Sequence, residues 1–296
     1  MTPASYERST EDQGNIISFE HVNVQITDQR LATLFYVGGL GLTRDPYMNV
    51  IDSNMWINAG RNQFHLPTGR PQVLRGTTGL VLSNLDDLRQ RLKRVAPKLA
   101  ETKFSWQDEG SSVLASCPWG NRIRIHQAGA GFGRMQLGIA YVEFLVARGA
   151  AEGIAQFYRT ALRAPAWVET ANGLPLAKAK IKVGMDQHLV FRETDEAIAE
   201  YDGHHLAMYV SDFSGPHAWL NERGAISEES DAYQYRFEAI IDPASGKELF
   251  RIQHEVRSLS HPMFMRQWSL ANRNPMQGGQ GYGTGRDGYY PEPGIV

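Results

Sequence analysis

Residues 17–42, ISFEHVNVQITDQRLATLFYVGGLGL, and residues 137–162, LGIAYVEFLVARGAAEGIAQFYRTAL, share one layout. In the first, Val22, Val24 and Ile26 alternate with His21, Asn23 and Gln25, the period of a strand with one buried face. Asp28 then stands where a helix N-cap belongs. Leu31, Leu34 and Phe35 recur at helical spacing, and Gly38 and Gly39 can end the helix. In the second stretch, Val142, Phe144 and Val146 alternate with Tyr141, Glu143 and Leu145, and a helix follows with Ile154, Phe157, Tyr158 and Leu162. Each helix carries the pair Phe-Tyr, at 35–36 and 157–158. His21 and Glu143 both lie fourteen residues before that pair, so they are equivalent positions of a repeated unit.

Two weaker copies complete the set. TTGLVLSNLDDLRQRLKRVAPKL (77–99) is a short strand and a helix built on Leu85, Leu88, Leu92 and Val95. HHLAMYVSDFSGPHAWLNERG (204–224) is a strand and a short helix. Further strands follow each helix, closing with NQFHLP (62–67), WGNRIRIHQ (119–127), QHLVFRET (187–194) and GKELFRIQHEV (246–256). The chain therefore reads as α+β, with four βαβββ modules of roughly 55–65 residues. The glycine-rich QAGAGFG (127–133) is the natural divide. Modules one and two are accordingly expected to form one domain and modules three and four another. A flexible N-terminus covers 1–15, a first domain 16–126, a linker 127–135 and a second domain 136–258. An extension covers 259–296, and its end, rich in Gly, Tyr and Pro, is expected to be extended or disordered.

The formal net charge of −2 and the lack of a dense Lys/Arg block argue against nucleic acid as a partner. The first fifteen residues have no apolar core and no 18-residue apolar run exists, so neither a signal peptide nor a membrane partner is expected. Cys117 is the single cysteine, which fits a reducing compartment, with the cytoplasm as default. GGLGL (38–42) follows a helix rather than opening one and fails the context of a dinucleotide loop.

The four-module layout, with the segments FEHVNVQI, CPWGNR, GHHLAMYV and DPASGKELFRIQHEV, resembles the vicinal-oxygen-chelate superfamily over roughly residues 16–258. That superfamily includes glyoxalase I, bleomycin resistance proteins and extradiol dioxygenases. The two-domain arrangement looks most like the type I extradiol enzymes. The resemblance implies that consecutive modules pair into two half-open barrels, with a divalent metal held by residues on the first and last strands of modules, and a small oxygen-rich or catechol-like substrate. Because type I extradiol enzymes work in the second domain, it points to Glu143, His205 and His254 as metal ligands. Position 250, where the resemblance first places the third ligand, is Phe; of Glu248 before it and His254 beyond it on the same face, His254 is preferred. Two histidines and a carboxylate suit Fe(II), favoured over Mn(II) or Zn(II).

The alternative set is His21, His65 and His126 in the first domain. Arg124, on the face of His126, is expected to meet a substrate carboxylate or phosphate. His188 and Tyr235 are the candidate catalytic groups, with Tyr233 a weaker candidate, and His204 a turn or substrate-side residue beside His205. A glyoxalase or epimerase type of lyase or isomerase, and a metal-free small-molecule binding protein, remain as other readings. A homodimer is carried by the resemblance alone.

Overall fold

The computed structural model describes residues 6–45, 53–170 and 176–265. The expectation of a disordered tail falls mostly on residues outside these. All four modules are present. Module one holds β1 (Ile16–Asn23), α1 (Gln29–Ala32), which continues as a π-helical turn over Thr33–Gly39, β2 (Thr43–Arg44), β3 (Trp56–Ala59) and β4 (Asn62–His65). Module two holds β5 (Gly76–Leu82), α2 (Leu85–Leu99), β6 (Ser105–Asp108), β7 (Ser112–Ser116) and β8 (Arg122–Gln127). Module three holds β9 (Gly138–Ala147), α3 (Ala151–Ala161), β10 (Ala166–Thr170), β11 (Ala177–Gly184) and β12 (Gln187–Thr194). Module four holds β13 (His205–Val210), α4 (Ser214–Asn221), β14 (Ile226–Asp231), β15 (Gln234–Ile241) and β16 (Glu248–Ser258). No helix among the described residues is long and apolar enough to cross a membrane.

Local chemistry starts the helices. Asp28 accepts the Arg30 N–H at 2.6 Å, and Asn84 accepts those of Asp86 and Asp87. The repeated Phe-Tyr pairs are buried at equivalent places, their rings edge-on at 5.0 Å for Phe35–Tyr36 and 5.5 Å for Phe157–Tyr158.

The strands make two eight-stranded sheets, ordered β14-β15-β16-β13-β1-β4-β3-β2 and β10-β11-β12-β9-β5-β8-β7-β6. Modules one and four share the first sheet, two and three the second. This departs from the expected pairing of one with two and three with four. The reason lies in the connections. The connections 66–75, 128–137 and 195–204 are all ten residues long, so path rather than length decides: the glycine-rich one carries a single helical turn and returns β9 antiparallel to β5 within the same sheet. The segments 66–75 and 195–204 cross between sheets instead. They run side by side, Gln72 Nε2 donating to the Asp202 carbonyl at 2.9 Å and the Val73 N–H to Asp202 Oδ2 at 2.6 Å.

Consecutive modules do meet, but through their helices. A Cβ on Gly38 or Gly39 would lie 3.3 Å from Val95, so these glycines let the end of α1's continuation close on α2. Phe157 of α3 packs against Trp219 of α4. One contiguous apolar core, with Phe35, Leu92, Phe144, Phe191, Met208 and Phe237, runs through all four modules. It leaves the concave face of each sheet for polar residues.

Candidate metal centre

Strand register assembles a histidine cluster on the concave face of the first sheet. Asn23 of β1 lies opposite His205 of β13 on one side and His65 of β4 on the other, and His21 lies two residues back on β1. Their nearest ring nitrogens all fall within 4.8 Å of one another. A register shift between Phe19 and His21 breaks the alternation of β1, and Glu20 and His21 are both buried.

The Glu20 carboxylate takes the Nδ1–H of His21 at 2.9 Å. This bond fixes the tautomer and leaves His21 Nε2 buried with no hydrogen-bond partner. Tyr209 donates to the other Glu20 oxygen at 3.2 Å, and Arg257 donates to Oε2. Glu255 of β16 lies opposite Ala207, and its Oε2 sits 3.5 Å from His205 Nε2, also buried and without a hydrogen bond. Arg236 holds that oxygen at 2.7 Å, and Arg257 pairs with the other. Both ring nitrogens of His65 are engaged, with Asn23 Nδ2 at 2.6 Å and Asn54 Oδ1 at 2.8 Å. Its ring stacks on Trp56 at 3.8 Å. Residues 261–265 lie over this assembly: Met263 packs on Trp56 and Phe264 meets the Tyr209 ring at 5.0 Å.

Burial opposes every charge here, so the pairings decide the protonation states. Glu20 is desolvated, yet the Arg257 guanidinium and His21 hold its carboxyl down to about 2. Glu255 is likewise desolvated and is held well below the usual carboxylate range by Arg257 and His205. Burial keeps His205 down to about 4 and His65 well below its ordinary value, the neighbouring imidazoles adding to both effects. His65 and His205 are therefore neutral near pH ~7, the state a metal requires.

The donor set fits a divalent ion. Two donors about 2.1 Å from one ion lie roughly 3.0–3.4 Å apart in octahedral or tetrahedral arrangements. The His205–Glu255 separation of 3.5 Å is close to that range, and no hydrogen bond holds these two atoms together. His21 and His205 thus offer unpartnered Nε2 atoms, and Glu255 Oε2 stands beside that of His205; the group whose ligand atoms all converge within 4.8 Å is His21, His65 and His205. His65 can join only by giving up a hydrogen bond to Asn23 or Asn54.

No protein-family model and no curated protein sequence matches this chain. Solved structures do. Glyoxalase I from Zea mays superposes with a TM-score of 0.56 at 14% identity, covering 84% of this chain and 94% of that one. A Bacillus subtilis protein with a provisional assignment as a dioxygenase gives 0.55 at 13% identity, covering 82% and 86%. The chain has the vicinal-oxygen-chelate fold. At these identities the likeness concerns the fold, and the chemistry rests on the residues.

Within this fold, the set Glu143, His205 and His254 is not brought together. Glu143 lies on the second sheet, where it ion-pairs with Arg192 at 3.2 Å. His254 faces the core, stacked on Phe237 at 4.3 Å and bonded to the Tyr158 hydroxyl at 2.6 Å. Of the alternative set, His21 and His65 meet, but His126 lies on the second sheet, 3.0 Å from the Tyr141 hydroxyl. Each set contained part of the cluster, because the paired modules are one and four. Arg124 is clamped at 3.0 Å to both oxygens of Glu109. His188 is on the second sheet beside Trp167, where burial and two lysines bring it down to about 4. Tyr235 is buried against Phe213 and His217 of the α4 region, and Tyr233 is exposed at a turn. His204 points away from His205, into a 2.6 Å contact with Asp202.

Glu20, Glu255 and Arg257 escaped the sequence reading. A signal was present on β16: Arg251, Gln253, Glu255 and Arg257 form an unbroken polar alternation opposite Phe250, Ile252, His254 and Val256. Counting from the DP…G turn selected the core face instead.

The position of His254 yields a pH test. Burial holds its imidazole down to about 4, against roughly 6.5 in an unfolded chain. As pH falls from about 6.5 toward 4, the unfolded chain takes up a proton that the folded chain does not, so stability is lost across that window. The thermal midpoint of metal-free protein is expected to fall there, and less steeply in His254→Phe. Identical slopes would refute the assignment.

Proposed function

We propose that the chain is a metal-dependent enzyme of the vicinal-oxygen-chelate type, with His21, His205 and Glu255 holding a divalent metal between modules one and four. The single observation that carries this reading is the convergence of His21, His65 and His205 within 4.8 Å, with the Nε2 atoms of His21 and His205 buried and unpartnered and Glu255 beside His205. The metal would supply Lewis acidity and a template for two adjacent substrate oxygens. Glu20 orients His21, Arg257 balances the two carboxylates, and Trp56 with Met263 limits water. Glu255, held by two guanidiniums, is suited to carry negative charge rather than to act as a mobile base.

Two histidines and one carboxylate suit Fe(II), and so an O2-dependent cleavage of a catechol-like molecule. The third imidazole, His65, favours a second reading, zinc-like lyase or isomerase chemistry without O2. Elemental analysis of anaerobically purified protein, followed by oxygen uptake on a panel of catechols, separates them. Stoichiometric iron with uptake supports the first; another metal and turnover without uptake support the second. Protein that retains no metal after supplementation refutes both.

A further inference from the structure

The same register that assembles the histidine cluster can be followed on the second sheet. His21 is equivalent to Glu143 by the sequence repeat. His65 pairs with the residue two beyond His21, and the residue two beyond Glu143, Leu145, pairs with Arg192. His205 lies opposite that same residue of β1. Its counterpart is Arg75, whose carbonyl accepts the Leu145 N–H at 2.9 Å. Glu255 pairs with Ala207, opposite His21, whereas Arg122 pairs with Thr77, opposite Glu143. The four positions that read His, His, His and Glu in one half-barrel thus read Glu143, Arg192, Arg75 and Arg122 in the other.

These four residues line a cavity of about 310 Å³. Glu143 is matched by Arg192, and Glu200 also lines the cavity. Asp202, at the rim, spends its oxygens on the Val73 N–H and on His204. Neither Arg75 nor Arg122 forms an ion pair among the described residues; Arg75 Nη2 donates to the Arg251 carbonyl and its guanidinium lies over the Phe250 ring, but its Nε is buried without a hydrogen-bond partner. Leu145 and Ile198 give the cavity an apolar wall.

We propose that the second half-barrel is a binding site for a small organic oxyanion, with its carboxylate or phosphate head on Arg75, Arg122 and Arg192 and its apolar body on Leu145 and Ile198. Two guanidiniums without a carboxylate partner, with Arg192 shared with Glu143 beside them, disfavour a metal cation and suit planar, bidentate recognition of an oxyanion. The site does not depend on metal in the first half-barrel.

Calorimetric titration of the full chain with benzoate and with phenyl phosphate tests this. Saturable binding of at least one probe is expected, weakened roughly tenfold or more in Arg122→Met, the loss of one charge-assisted contact. Arg122 is exposed, so this variant keeps its fold, and Arg192→Met provides a second reading. Tighter binding of benzoate indicates a carboxylate ligand, and tighter binding of phenyl phosphate a phosphate ester. Binding that persists in His21→Ala places the probe away from the histidine cluster. No saturable binding of either probe, binding indifferent to both arginine substitutions, or binding abolished by His21→Ala would each overturn the proposal.

Discussion

Replacing His21 by Ala is expected to reduce bound divalent metal to about a tenth of the wild-type content or less, and His205→Ala should do the same. Each removes one of the two buried nitrogens that lack a protein partner, and a divalent ion left with one imidazole and a carboxylate is weakly held. Glu20→Gln should act less severely. It leaves the His21 ring in place but weakens the bond that sets its tautomer, an effect of about 10–100-fold in metal affinity. His254→Ala and Glu143→Ala should leave metal content unchanged, since one faces the core and the other lies on the second sheet. Elemental analysis of the five proteins decides the matter. Retention of metal in either His21→Ala or His205→Ala would remove the centre from modules one and four.

Arg257→Met is expected to cost about 3–5 kcal/mol in metal-free protein, the usual penalty for stranding buried charge. Arg257 is 3% exposed and stands between two carboxylates that are each 2% exposed, Glu20 and Glu255. Among the described residues, its removal leaves Glu20 with the Tyr209 and His21 contacts, and Glu255 with Arg236 and, at 3.5 Å, His205. Arg236 is partly exposed, so Arg236→Met should cost clearly less. Combining Glu20→Gln with Arg257→Met should cost less than the two single changes together, because the second change no longer strands a full charge. Urea unfolding of the four proteins measures these differences. A loss below about 1 kcal/mol for Arg257→Met would mean that water, rather than Arg257, compensates the carboxylates.

The modules were legible because strand and helix periods are written locally, and the repeated Phe-Tyr pair tied two of them together. Pairing between modules was not legible. Inter-module connections of equal length take different paths, and the glycines of 127–133 served a return rather than a division. That one error split the histidine cluster between two rival ligand sets, so His21 and His205 were each named but never together. Glu20 was hidden for a different reason: the register shift in β1 breaks the alternation by which faces are assigned.

The order of the sheets also governs the order of assembly. The second half-barrel can close as soon as Thr194 is available, since all its strands lie between Gly76 and that residue. The first must wait. β1 gains its antiparallel partner only with module four, and Arg257 meets Glu20 across 237 residues of chain. The first module therefore spends synthesis with one edge of β1 unpaired and Glu20 without its counter-ion. Contacts so distant in sequence favour slow closure, and the histidine cluster becomes complete only near the end of folding.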